Sequence, residues 1–175
     1  MIHDNQDGEK MKIGILSDTH LEKHPEKILD YIDKCFNDVD LLIHAGDYTN
    51  SKVINLIESR CKFVGVHGNV DKSYVRELVK EKEVIEVCGY RIGIFHGHGE
   101  KKTTIERAYD TFSGDKVDII IFGHSHQPSI TTKNKILMLN PGSLSRKRKE
   151  PWFSYIILTL DKDNMSAQLQ FHDKL

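Results

Sequence analysis

Five apolar runs in this chain break off into the same kind of residue. Lys12–Leu16 leads into Ser17-Asp18-Thr19-His20, Asp40–Ala45 into Gly46-Asp47, and Lys62–Val66 into His67-Gly68-Asn69. Arg91–Phe95 leads into His96-Gly97-His98, and Val117–Phe122 into Gly123-His124-Ser125-His126. Short runs rich in isoleucine and valine, spaced by helical stretches, read as buried strands. Ligands of α/β sheets sit in the crevice outside the carboxyl ends of the strands, so motifs scattered over about a hundred residues can converge on one place. Their carboxylate, imidazole and amide groups are donors for hard to borderline divalent cations, and no cysteine is among them. Such a set points to hydrolysis and away from electron transfer. Gly46, Gly68, Gly97 and Gly123 recur beside the candidates, where a missing Cβ lets a strand turn sharply and the backbone approach an ion.

From Met11 the order reads β-α-β-α-β. Helical stretches are predicted over Pro25–Phe36, with Ile28, Ile32, Cys35 and Phe36 as the buried stripe, and over Ser51–Arg60, with Val53, Ile54 and Ile57. A shorter helix is predicted over Ser73–Lys80, and the strands Glu83–Val87 and Arg91–Phe95 meet at a Cys88-Gly89-Tyr90 turn. Thr103 and Glu106 form a capping box that opens a further helix. Beyond Gln127 only short β-like runs remain, at Ser129–Thr132, Ile136–Leu139, Phe153–Leu160 and Ala167–Phe171, with Trp152 and Phe153 as core candidates. An α/β first half and an antiparallel second half suggest an α/β fold of two packed β-sheets with helices outside.

The chain has 175 residues, read as one domain over residues 11–175 behind a loose extension of residues 1–10. His3 and Asp4 in that extension are weak metal candidates, since a mobile terminus must first be ordered. Lys plus Arg (25) nearly balances Asp plus Glu (26), so the positive field of a protein that grips nucleic-acid phosphates is missing. No stable nucleic-acid complex is expected. Cys35, Cys61 and Cys88 are scattered and odd in number, which reads as reduced, structural cysteine. The polar N-terminus carries no apolar stretch, so the expectation is a cytoplasmic protein without membrane attachment.

The ordered motifs Asp-x-His, Gly-Asp, Gly-Asn, His and Gly-His-x-His, with Asn140-Pro141-Gly142-Ser143 after them, resemble those of the calcineurin-like metallophosphoesterases. The resemblance runs from Met11 to about Ser143. The compact length and the Gly68-Asn69-Val70-Asp71 and His96-Gly97-His98 variants look like the small bacterial and archaeal phosphodiesterase branch. It implies a four-layer αββα sandwich and a two-metal site. Asp18, His20 and His126 would hold one ion, Asn69, His96 and His124 the other, and Asp47 would bridge them. Manganese is the first expectation, with nickel, iron, zinc, cobalt or magnesium as alternatives.

The implied activity is a binuclear metal-dependent phosphodiesterase that hydrolyses small phosphodiesters by attack of a hydroxide held between the cations, about 3.5–4 Å apart. Many relatives carry a histidine where Val70 stands, and there it can protonate the leaving group. Its loss leaves His98 and Asp71 as candidates for that role and favours diesters with good leaving groups. His44 and His67 are read as supports for the ligands. Arg146, Lys147, Arg148 and Lys149 either meet a substrate phosphate or form a solvated loop. The rival readings are a partner-binding scaffold, like the retromer subunit that resembles these enzymes, and a nuclease. An exposed sheet edge in the second half would suit a homodimer.

Overall fold

The computed structural model describes residues 10–173, so the expectations for His3, Asp4 and the rest of the first nine residues lie outside it. Its strands are β1 (Met11–Leu16), β2 (Leu41–His44), β3 (Phe63–Gly65), β4 (Lys82–Val87), β5 (Tyr90–Phe95), β6 (Ile119–Ile121), β7 (Ser129–Lys133), β8 (Ile136–Asn140), β9 (Phe153–Leu160) and β10 (Met165–His172). The helices are α1 (Lys27–Cys35), α2 (Lys52–Glu58), α3 (Ser73–Arg76) and α4 (Thr104–Thr111). They form two five-stranded sheets, one in the order β10-β9-β1-β2-β3 and the other β4-β5-β6-β8-β7.

Three apolar clusters account for the layers. Ile13, Ile15, Leu41 and Ile43 of the first sheet meet Ile92, Ile94, Ile119 and Leu139 of the second in a face-to-face core. The opposite face of the first sheet, with Leu16 and Leu42, is covered by Ile28, Ile32, Val53 and Ile57 of α1 and α2. The outer face of the second, with Ile120 and Met138, is covered by Ala108 and Phe112. The predicted capping box is present: the Thr103 side chain accepts from the Glu106 amide while the Glu106 carboxylate accepts from the Thr103 amide.

The division of the sheets differs from the sequence expectation. β9 pairs antiparallel with β1 and carries β10 into the first sheet, while β5, β6 and β8 run parallel in the second. A hairpin looks the same in sequence whichever sheet its inner strand joins, so neither pairing could be read locally. Helix α3 stops at Arg76, short of the expected Lys80. The hairpin β4–β5 turns on Cys88 and Gly89 alone, both at positive φ (51° and 82°), as a two-residue turn requires. Trp152 is 49% exposed, because it precedes β9 and has no sheet face to pack on. Among the described residues no helix is long and apolar enough to cross a membrane.

Candidate metal centre

Parallel strands β1, β2, β5 and β6 deliver four of the five motifs to one end of the sandwich, and β3 brings the fifth beside them. The loops are bound to one another at once: the Asp18 amide donates to the Gly46 carbonyl (2.9 Å), the His20 amide to the Asp47 carbonyl (3.0 Å), and the Gly123 amide to the His96 carbonyl (3.0 Å). Asp18, His20, Asp47, Thr49, His124 and His126 all hold positive φ, between 45° and 68°. Each such non-glycine residue stores roughly 1 kcal/mol or more, and strain of this kind collects at functional sites. Two glycines make the close approach feasible. A Cβ on Gly68 would lie 2.0 Å from Asp47 Oδ1, and one on Gly123 would lie 1.9 Å from Ser17 Oγ and 2.6 Å from Asp18 Oδ2.

Two adjacent groups of buried donors result, Asp18 with His20 and His126, and Asp18 with Asp47 and His96. His96 Nδ1 donates to the Ala45 carbonyl (2.7 Å) and His126 Nδ1 to the Arg146 carbonyl (2.8 Å). A carbonyl can only accept, so in the neutral rings both Nε2 lone pairs face inward. His96 Nε2 lies 3.2 Å from Asp47 Oδ2, His126 Nε2 lies 3.2 Å from Asp18 Oδ1, and the Nε2 atoms of His20 and His126 are 3.2 Å apart. Asp18 Oδ2 accepts from Ser17 Oγ (2.7 Å) and the His124 amide (2.9 Å), yet Asp18 Oδ1 and His96 Nε2 are buried without a hydrogen-bond partner. Lone pairs of Asp18, Asp47, His96 and His126 converge on one another, an arrangement that positive charge relieves. A divalent cation fits this donor set.

The charges agree. Burial works against the Asp18 anion, but the His126 contact and the His96 and His126 charges hold its pKa at about 2. Burial also opposes the His96 cation, and there Asp47 and Asp18 win and push the pKa up. Burial keeps His20 and His124 near 4 despite the two aspartates.

The remaining candidates sort as follows. The His124 ring stands edge-on to that of His96, with centroids 5.2 Å apart, and it joins neither group. Asn69 is exposed at the rim, its carbonyl accepting from Arg76 Nη2. Asp18 is common to both groups, and Asp47 Oδ2 also lies between them, 3.8 Å from His20 Nε2 and 3.2 Å from His96 Nε2. Asp71 is buried and its carboxylate accepts three backbone amides, Asp47 (2.9 Å), Gly68 (2.8 Å) and Thr49 (2.7 Å), so it organises loops. His98 Nε2 lies 3.3 Å from Glu81 Oε1, and its ring is 5.8 Å from that of His96. His44 supports the cage: its Nδ1 accepts from the Gly46 amide and its Nε2 donates to Thr19 Oγ1. His67 is half-buried, with Nδ1 beside the Gly68 carbonyl.

Sequence reasoning gave no role to three residues of the β8–β9 loop and its approach. Asn140 Nδ2 donates to the Gly123 carbonyl, while Ser143 Oγ and Ser145 Oγ donate to the Asp18 carbonyl. The Asn-Pro-Gly-Ser turn was the visible signal, and its link to Asp18, more than a hundred residues away, was not.

Residues 11–163 match the Calcineurin-like phosphoesterase superfamily domain. The chain belongs to that superfamily. Within it, a probable metallophosphoesterase of Methanocaldococcus jannaschii is 36% identical over 93% of this chain and 82% of its own length. A phosphodiesterase of the same organism is 30% identical over 75% of this chain and 83% of its own. The solution structure of a Thermotoga maritima protein superposes with a TM-score of 0.72 at 32% identity, covering 93% of this chain and 99% of that one. Its named relatives are thus phosphoric ester hydrolases. Vps29 of Entamoeba histolytica, 20% identical with a TM-score of 0.69, shares the fold.

Proposed function

We propose that the chain is a binuclear metal-dependent phosphodiesterase acting on small phosphodiesters. The observation that carries this reading is the pair of buried, unpartnered atoms Asp18 Oδ1 and His96 Nε2 inside a cage of inward-facing lone pairs. Asp18, His20 and His126 would hold one cation and Asp47 with His96 the second, with Asn69 and His124 closing the second site as the superfamily resemblance implies. Two such cations, manganese first, would lower the pKa of bound water and neutralise the phosphoryl oxygens. The chain's own part is to fix the ligands. Ala45 and Arg146 carbonyls set the tautomers of His96 and His126, and Asp71 pins the Asp47–Thr49 and Gly68 backbones. Water serves as nucleophile, since none of the cage residues is a serine or cysteine.

His98 is the group we assign to leaving-group protonation. Glu81 would accept from Nε2 and stabilise the imidazolium form, whose second proton, on the buried and unpartnered Nδ1, is the one that would be delivered to the leaving group. The bonds that Asp71 makes suit loop organisation better than proton transfer. The scaffold reading is supported by fold alone, at 20% identity. Hydrolysis of bis(4-nitrophenyl) phosphate with Mn²⁺, set beside His96→Ala, separates the two. Turnover by the wild type that the variant loses is expected, and a wild type inert with every divalent cation would leave the scaffold.

A further inference from the structure

The basic run Arg146-Lys147-Arg148-Lys149 is not uniform in the folded chain. Lys147 turns away from the centre, its Nζ 4.6 Å over the Phe153 ring and bonded to the Asp173 carbonyl. Arg146 and Arg148 border the cage. The Arg146 carbonyl accepts from His126 Nδ1 at 2.8 Å, which places the residue directly beside the cage. Arg148 donates to the His124 carbonyl at 3.3 Å. Their loop is held in place, because Ser143 Oγ accepts from the Arg146 amide and itself donates to Asp18.

Both arginines are exposed, and among the described residues neither forms an ion pair. Some exposed cations elsewhere on this surface have carboxylate partners, as in Lys82–Asp115 and Arg60–Asp33, whereas among the described residues no carboxylate meets the two arginines that border the cage. Two guanidiniums carried on one anchored loop beside the cage suit an anionic group carried by the substrate beyond its reacting phosphorus, since each presents a planar fork of donors to phosphate oxygens.

We infer that Arg146 and Arg148 form a subsite for a second phosphate on the substrate, so that the preferred diesters carry a phosphate besides the one cleaved. This rests on the phosphodiesterase reading and adds the substrate class to it. The subsite acts through binding, so its loss raises KM more than it lowers kcat.

A matched pair of substrates tests it: thymidine 5′-(4-nitrophenyl phosphate) and the same diester with a 3′-phosphate, which share reacting bond and leaving group. With Mn²⁺-loaded wild type, kcat/KM should be higher for the 3′-phosphorylated member by about tenfold, and added salt should erode the difference. Arg146→Ala/Arg148→Ala should reduce that ratio towards one through KM, and Arg146→Lys/Arg148→Lys should restore part of it. Arg146→Ala alone, whose guanidinium makes no hydrogen bond among the described residues, guards against damage to the His124 loop. Equal kcat/KM for the two diesters in wild type, or a ratio the alanine variants leave intact, overturns the subsite. Failure to cleave either diester overturns the phosphodiesterase reading instead.

Discussion

His96 Nδ1 and the Ala45 carbonyl oxygen are 2.7 Å apart, and that contact determines which face of the imidazole is chemically available. A carbonyl partner demands a proton on Nδ1, so Nε2 presents its lone pair to Asp47 and Asp18. The donor strand for one ligand is therefore oriented by the strand end that precedes another, β2 for β5. Parallel strands alone would not align the ring; the cross-sheet bond does.

The same economy of space makes Gly123 irreplaceable. Gly123→Ala forces a methyl group to within 1.9 Å of Ser17 Oγ and 2.6 Å of Asp18 Oδ2, so the Asp18 loop must move. We expect metal affinity to fall by about 10–100-fold, the usual effect of displacing a ligand's support. Calorimetric titration with Mn²⁺ measures it, and affinity equal to wild type would show that the loop yields freely.

Asp71 gives a sharper test of structure against catalysis. In Asp71→Asn an amide NH₂ must face one of the Asp47, Gly68 or Thr49 amides, donor against donor. We expect destabilisation of about 1–3 kcal/mol in urea unfolding. Activity should fall by the same factor at every pH. Loss of only the acidic or the basic limb of the pH–rate profile, at unchanged stability, would return Asp71 to proton transfer.

Stability of the metal-free protein should decline as the medium is acidified. Burial holds the His44 pKa at about 3, against 6.5 for a free imidazole, and its Nδ1 must stay unprotonated to accept from Gly46. The unfolded chain therefore takes up the proton first, and the contribution of His44 is full above 6.5 and lost as pH falls toward 3. His20 and His124, held near 4 by burial, act in the same sense. His96, with its raised pKa, acts in the opposite one, and three histidines outweigh it. The urea midpoint should thus drop steadily from about pH 7 to about pH 4.5, and a midpoint that rises over that range contradicts these assignments.

Val70 is 44% exposed, with its amide on Asp47 Oδ1 (3.2 Å), at the position where the family resemblance implies a histidine. Its side chain is at the rim, where a proton donor would meet a leaving group. Val70→His should raise hydrolysis of alkyl phosphomonoesters on the order of tenfold or more, the low end of general-acid effects. Kinetics on glycerol phosphate measure this, and no gain by a variant that still cleaves aryl diesters would mean His98 already fills the role.

What the sequence disclosed follows the range over which each interaction acts. Strand ends and the Thr103–Glu106 box were legible because apolar period, glycine and capping chemistry are local. Asp18, His20, Asp47, His96 and His126 were legible as a set because one donor chemistry recurs at successive strand ends, and the fold brings those five together. The pairing of β9 with β1 was hidden, since it joins residues at opposite ends of the chain through backbone groups that carry no residue code. The left-handed backbone at Asp18 and His124, the three amides on Asp71 and the Ser143–Asp18 bond were hidden for the same reason.

Anomalous diffraction from a Mn²⁺-soaked crystal tests the binuclear centre most directly. The account predicts two peaks, one bounded by Asp18, His20 and His126 and the other by Asp47 and His96, with the second lost in His96→Ala. A single peak, or none, in a crystal whose Asp18 and Asp47 loops keep the conformation described above would contradict it.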